Sequence, residues 1–425
     1  MSFDSAAAYR SYLSREVQLP RGFQFFTTSL AFVPPERPDS GSASMNLAVI
    51  ESDPGATTVG VTTSNRFCGA PVVLARERLP AGDVRAIVVN NKVANVAAGT
   101  GLHDARTVAA ALARERSLPE EQTLSVSTGV IGWSLPTERM VAALRGISAS
   151  AADAVDVAEA IMTTDRYPKL AWTRRSGVTC LGIAKGAGMI EPNLATMLGF
   201  IMCDAQVDRD RLGRVFRRVV AATFNTISVD GDQSTSDMVV CTANGASGTE
   251  VSEEELEKLL LPVCRTLSQE IVRNGEGTAH VIEVHVRGVD DRELSQRIGR
   301  HVVNSPLVKT AVYGNDPNVG RILAAAGDAL DTWDTGHTVD VASLTVSIAG
   351  REVYRDGAFR LDGAVEQELA ELLRRGAMDP QCAGYPQDAP NVTIELSFGS
   401  SGEETVVYGS DLSYDYVREN ADYRT

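Results

Sequence analysis

Long apolar runs are missing from this chain of 425 residues. No stretch reaches the roughly 20 apolar residues that a membrane helix needs, so no membrane partner is expected. Basic charge is in deficit, with 40 Lys and Arg against 55 Asp and Glu and a net charge of −15. That balance argues against nucleic acid or an anionic membrane surface as a general partner. Histidine is scarce, five in all, and no pair has His-x-x-x-His spacing, so a histidine-centred metal or catalytic site lacks support. The six cysteines are scattered without a Cys-x-x-Cys pair. Neither a disulfide framework nor a zinc site is therefore expected, and reduced thiols in a cytoplasmic protein are the default. The first residues carry Asp4, Arg10, Arg15 and Glu16 with no apolar core, so no secretory signal is expected. No Gly-x-Gly-x-x-Gly turn follows a strand pattern, which removes the argument for dinucleotide binding.

What is present is ordinary for a globular protein: 44% hydrophobic and 22% charged residues. The length predicts two or three folding units. Residues 1–19 read as a polar, partly helical tail, loosely held or contacting another subunit, and residues 34–42 as a surface loop. Arg85 to Asn90 and Thr123 to Thr128 read as strands, and Asp104 to Arg114 as an alanine-rich helix. Leu212, Val215, Phe216, Val219 and Val220 fall on one helical stripe. Ser252 with Glu255 forms a capping box for a long helix ending near Arg273. Ile282, Val284 and Val286, and later Val392, Ile394, Leu396 and Phe398, alternate with polar residues as half-buried strands do. The run Val229-Asp230-Gly231-Asp232 has a calcium-loop look but lacks the glutamate at the twelfth position, so no metal is expected there.

One stretch carries chemistry. Gly186-Ala187-Gly188-Met189-Ile190-Glu191-Pro192-Asn193-Leu194-Ala195-Thr196-Met197-Leu198 sets a small residue against a threonine behind a glycine-rich approach. Taken alone it also reads as a glycine-rich turn feeding a buried strand. If the Ala195–Thr196 bond breaks, however, Thr196 gains an α-amine that can act as base for its own hydroxyl. An α-amine titrates at about 7.7–8.0, so a useful fraction is neutral at working pH.

The words around that stretch decide between the two readings. Gly182-Ile183-Ala184-Lys185-Gly186 through Asp204-Ala205 resembles the nucleophile region of the ornithine acetyltransferase family. Ser127-Thr128-Gly129-Val130-Ile131-Gly132, Thr163-Thr164-Asp165 and Thr223-Phe224-Asn225 with Val229-Asp230-Gly231-Asp232 also match it. So do Lys309-Thr310, Gly314-Asn315-Asp316-Pro317-Asn318 and the terminal Tyr416-Val417-Arg418-Glu419-Asn420-Ala421-Asp422-Tyr423. The matches keep the family's order from about residue 20 to the last.

The resemblance implies an α+β fold, a layered αββα sandwich with a smaller C-terminal α/β part. It implies self-cleavage into an α chain, 1–195, and a β chain, 196–425, assembled as α2β2. Thr196 would be the nucleophile, and Thr128 with Gly129 the oxyanion hole. Thr163, Lys185, Glu276, Asn420 and Thr425 would hold substrate, with the C-terminus folding over the pocket. The implied reaction moves acetyl from an N-acetylornithine-like amino acid to a glutamate-like amine. No cofactor is expected, since the acyl donor is itself an amide.

Several words depart from the family's pattern. Lys92 and Val93 stand where glycine and asparagine are usual, His280 where lysine is, Val319 where tryptophan is, and Cys203 where threonine is. The connection from Thr164 to Lys185 is shorter than usual. The alternatives are therefore the same machinery on another donor and acceptor in specialised metabolism, an amidohydrolase using water, or an uncleaved scaffold.

Overall fold

The computed structural model describes residues 3–191, 197–336, 338–399 and 402–422. Two compact units are formed. The larger takes Asp4–Asn225 and Asp232–Ile271, and the smaller Met1–Phe3, Thr226–Gly231 and Val272–Thr425.

The larger unit contains two five-stranded sheets. The first runs β5-β4-β2-β1-β6, from β1 (Phe23–Phe32), β2 (Ala43–Ser52), β4 (Ala86–Asn90), β5 (Thr123–Ser127) and β6 (Ala151–Ala152). The second runs β3-β11-β9-β8-β7, from β3 (Thr57–Thr62), β7 (Lys169–Arg175), β8 (Val178–Lys185), β9 (Leu198–Cys203) and β11 (Met238–Ala243). Every residue of β4, β5, β8, β9 and β11 is buried, so both faces of both sheets are covered.

Helices supply the outer layers. On the first sheet, α3 (Gly101–Arg116) and α4 (Thr137–Leu144) share a core with the strands through Val108, Leu112, Met140, Leu47, Val49 and Val88. On the second lie α6 (Arg209–Ala222), whose buried stripe is the expected one, and α7 (Glu253–Arg273). A Cβ at Gly182 of β8 would stand 2.7 Å from Val263 and 2.6 Å from Leu267, so α7 rests directly on that strand. The expected capping box starts α7: Glu255 N–H donates to Ser252 Oγ, and Ser252 N–H donates to Glu255 Oε2. The larger unit is thus the expected αββα sandwich, completed by α2 (Ala70–Arg78) and α5 (Ala154–Ala160).

The N-terminal segment is more than a loose tail. Ser5 caps α1 (Ala6–Glu16), and Tyr9 and Leu13, one turn apart, are both buried. Tyr9 Oη donates to the Pro168 carbonyl at 3.1 Å, and Arg10 pairs with Asp156 at 2.7 Å. Two apolar side chains on one face suffice to dock a short helix, a pattern too sparse to stand out in a polar segment.

The smaller unit is an α/β layer. Its seven-stranded sheet has the order β10-β17-β12-β16-β13-β14-β15. The strands are β10 (Ile227–Ser228), β12 (Val281–Arg287), β13 (Thr345–Ile348), β14 (Arg351–Arg355), β15 (Ala358–Phe359), β16 (Val392–Ser397) and β17 (Thr405–Ser410). Burial alternates along β12 and β16, as their sequences imply. The buried face packs on α8 (Arg292–Asn304), α10 (Val319–Trp333) and α11 (Gly363–Arg375) through Val284, Ile394, Ile298, Ile322 and Leu373. The helices α9 (Pro306–Tyr313) and α12 (Tyr414–Ala421) complete it. Among the described residues no helix is long and apolar enough to cross a membrane.

Candidate active site

Strands β4 and β5 run parallel with Asn90 beside Ser127, and the chain leaves both at the same end. Ser127 Oγ donates to Asn90 Oδ1 at 2.7 Å, and the Thr128 N–H donates to the Asn90 carbonyl at 3.1 Å. Beyond Gly129 the path is clamped, because Val130 N–H donates to the Lys92 carbonyl at 2.8 Å. Gly129 has a φ of 126°, and a Cβ there would lie 2.2 Å from the Lys92 carbonyl carbon. Only glycine fits such a place. Its N–H makes no hydrogen bond with a described residue. Lys92 itself has a φ of 76°, which accounts for glycine being the usual residue of the family there.

The second sheet brings the cation. A two-residue turn, Ser176 (φ 50°) and Gly177 (φ 82°), folds β7 back on β8. That places Lys185, the last residue of β8, beside Leu198 at the start of β9. Lys185 is 2% exposed, and its Nζ donates to Thr128 Oγ1 at 3.0 Å. With its lone pair engaged by an ammonium, the Thr128 hydroxyl keeps its own proton to give elsewhere. A hydroxyl donor and an N–H donor on adjacent residues suit a developing oxyanion. Gly129→Ala forces the backbone away from Lys92 and should lower catalytic turnover on the order of 10²–10³-fold, measured as kcat.

Asp165 holds this corner together. Its Oδ1 accepts Lys169 Nζ at 2.6 Å and the Gly186 N–H at 2.7 Å, and its Oδ2 accepts the Thr163 N–H at 3.0 Å. Burial pushes its carboxyl up, but the Lys169 and Lys185 charges and the Gly186 N–H outweigh burial and hold it below the usual carboxylate range. Thr163 and Gly186, the residue after Lys185, are thereby tied to one carboxylate. On the other side of β9, Asp237 Oδ1 accepts the Met197 N–H at 2.8 Å. Burial drives this carboxyl well above the usual range, opposed by that N–H, by the Lys185 charge and by the Ser234 hydroxyl.

In the smaller unit the structure pairs two of the expected residues. Asn420 Nδ2, on α12, donates to Glu276 Oε2 at 3.1 Å. The Glu276 loop is locked to that helix. Ser413 Oγ donates to the Gly277 carbonyl at 2.5 Å, and a Cβ on Gly277 (φ 63°) would strike the Tyr416 nitrogen at 2.1 Å. Nearby, His280 Nδ1 lies 2.7 Å from Asp411 Oδ2, both side chains buried. Ala195, Thr196 and Thr425 lie outside the described residues.

Two charged groups escape a reading of the sequence: Lys169 and Asp237, along with the part Asp165 plays. The usable signal was position. Lys169 stands directly before Leu170-Ala171-Trp172, and Asp237 directly before Met238-Val239-Val240. A charge at the head of an otherwise apolar strand is buried with it unless the chain turns away. No group of three or more His, Cys, Asp or Glu suited to a metal ion occurs among the described residues.

The model of the ArgJ family matches residues 39–425. The chain belongs to the ArgJ family. It is 39% identical over 417 residues to the arginine biosynthesis bifunctional protein ArgJ of Nitratidesulfovibrio vulgaris, covering 96% of this chain and 99% of that one. It is 40% identical over 411 residues to the glutamate N-acetyltransferase Oat2 of Streptomyces clavuligerus, covering 96% and 98%. It is also 39% identical over 394 residues to the glutamate N-acetyltransferase of Methanocaldococcus jannaschii, covering 89% and 94%. Membership in the ArgJ family bears out the resemblance drawn from the sequence words. The match spans both units, so the pairing of Glu276 with Asn420 belongs to the ArgJ portion as much as the Thr128 corner does.

Proposed function

We propose that this chain is a self-processed N-acetyltransferase that moves the acetyl group of N-acetylornithine to glutamate through an acyl-Thr196 enzyme. The observation that carries the reading is the buried Lys185 ammonium on the Thr128 hydroxyl, 3.0 Å away, in a chain of the ArgJ family. Two relatives named glutamate N-acetyltransferase supply the substrate class.

Maturation begins when Thr196 Oγ attacks the Ala195 carbonyl. The C–N bond breaks, the nitrogen takes the hydroxyl proton, and water hydrolyses the resulting ester to leave chains 1–195 and 196–425. In transfer, the Thr196 α-amine takes the proton from its own Oγ as the oxygen attacks the acetyl carbonyl. The alkoxide is met by the Thr128 O–H and the Gly129 N–H. The amine then returns the proton to the departing ornithine nitrogen. Glutamate's neutral amine attacks the acyl ester, and its proton passes back to Thr196. Lys185 keeps the Thr128 hydroxyl pointed as a donor. Glu276 takes the substrate's side-chain ammonium, and Thr163, Asn420 and Thr425 hold the rest of the amino acid. Since the donor is an amide, the scheme includes no cofactor. The mature enzyme is read as a cytoplasmic α2β2 assembly acting on small molecules.

Ping-pong transfer has a diagnostic half-reaction. With glutamate absent, labelled ornithine should exchange into N-acetylornithine, and adding glutamate should yield N-acetylglutamate. Exchange that requires glutamate would sink the acyl-enzyme. Release of acetate regardless of acceptor would point to a hydrolase instead. Exchange with another N-acetyl amino acid but not ornithine would favour an altered donor, the reading suggested by His280 where the family usually has lysine.

A further inference from the structure

Asp237 is fully buried, yet one of its carboxylate oxygens is left open. Oδ1 accepts the Met197 N–H at 2.8 Å, while Oδ2 has no hydrogen-bond partner among the described residues. A buried carboxylate oxygen left open is costly, so the arrangement calls for a partner that the described residues do not supply. The placement is rigid. β11 and β9 run parallel with Met238 abreast of Leu198, the Met238 N–H donates to the Met197 carbonyl at 3.2 Å, and the Thr63 N–H donates to the Asp237 carbonyl at 3.1 Å. Neither β9 nor β11 contributes a charged side chain; their titratable groups are the Cys203 and Cys241 thiols. Lys185, at the end of β8, is the cation that acts on Asp237.

Covalent geometry does the rest. The α-nitrogen of any residue lies roughly 3–4 Å from the nitrogen of the next one. Covalent geometry therefore keeps the amine freed by scission ahead of residue 196 no more than about 7 Å from the oxygen that accepts the Met197 N–H.

We propose that Asp237 is a positioning residue for the nucleophile, holding the Met197 N–H on one oxygen and receiving the new Thr196 α-ammonium on the other. This inference rests on the self-processing read above. In the acyl shift, the C–N bond of Ala195–Thr196 breaks as the Ala195 ester forms on Thr196 Oγ. The freed amine then gains a proton from solvent and is held by Asp237. The contact favours the ester over the amide and afterwards aims the amine at its own hydroxyl. Burial holds the lone carboxyl up, and the arriving ammonium supplies the charge that lets it ionise.

The test is Asp237→Asn, which keeps an oxygen for the Met197 N–H and removes the charge. Were Asp237 only a strand clip, asparagine would restore everything. We expect slower self-cleavage by intact mass and a kcat lower by about tenfold to a hundredfold, with KM for N-acetylornithine changed by less than about threefold. The acid limb of the kcat profile should move to lower pH by about half a unit or more, because a carboxylate beside an ammonium raises its pKa. Wild-type kcat and pH profile in Asp237→Asn would overturn the proposal. Should that variant fail to fold, a crystal structure of the mature wild type decides. Asp237 Oδ2 within about 3.2 Å of the Thr196 α-nitrogen supports the proposal, and a separation beyond about 4 Å overturns it. Failure of the underlying reading looks different: intact mass would then show wild type itself unbroken at 195/196, and the Asp237 assignment falls with it.

Discussion

The Thr196→Ala variant is expected to run as one chain of 45.3 kDa and to transfer acetyl at least about 10⁴-fold more slowly than wild type. Both losses come from one oxygen. Without Oγ there is no attack on the Ala195 carbonyl, so no α-amine is born, and there is no oxygen to carry the acetyl group. Fold should be spared, since the αββα layers rest on fully buried strands such as β8 and β11 and the change removes only one oxygen and one methyl group. Thermal unfolding of the variant checks this. Thr196→Ser is the sharper control: it keeps the oxygen and drops the methyl group, so scission and transfer should both persist. Intact mass and the labelled-ornithine exchange read the two functions separately. Full transfer by Thr196→Ala would remove the nucleophile from the account.

The contrast between legible and hidden residues has a physical basis. The β12 and β16 alternations, the α6 stripe and the Ser252–Glu255 cap were readable because local patterns report which side of one element is buried. Thr128 and Lys185 gave no such signal. A Thr-Gly step ends many strands, and a lone lysine is usually solvated, so only the order of the family words marked them. Their meeting depends on two strand ends, 57 positions apart, from different sheets. Asp165 and Lys169 are four apart but not on a helix, so their pairing follows from β7 folding against β8 and from no local period. Asp237 was hidden for the same reason, since its partner is a backbone N–H 40 positions away. Buried charge looks like surface charge until long-range pairing is known.

That difference between buried and surface charge sets the size of the second large effect. Lys169→Met should destabilise the protein by about 3–5 kcal/mol in urea unfolding, because it strands the Asp165 carboxylate in a site where both side chains are 0% exposed. Glu77→Gln, which breaks the Arg106 pair at 44–51% exposure, should cost about 0–1 kcal/mol in the same assay. Asp165→Asn should lie at the upper end of the buried range. It removes the acceptor of Lys169 and weakens those of the Thr163 and Gly186 N–H groups. The pH dependence follows from the depressed carboxyl. Asp165 contributes its stability above the unfolded carboxyl range, about 3.9, and loses it only as pH falls through the lower folded value. Removing Lys169 takes away the largest opposing charge and lets burial dominate, so acid unfolding of Lys169→Met should set in at higher pH than in wild type. The double variant Lys169→Met/Asp165→Leu separates the two terms. It leaves no stranded charge, but the Thr163 and Gly186 N–H groups still lack an acceptor. Stability should therefore recover in part, while acetyl transfer, on the proposed role of Lys185, should stay low. Full recovery of both would mean the pair acts only through its own charges.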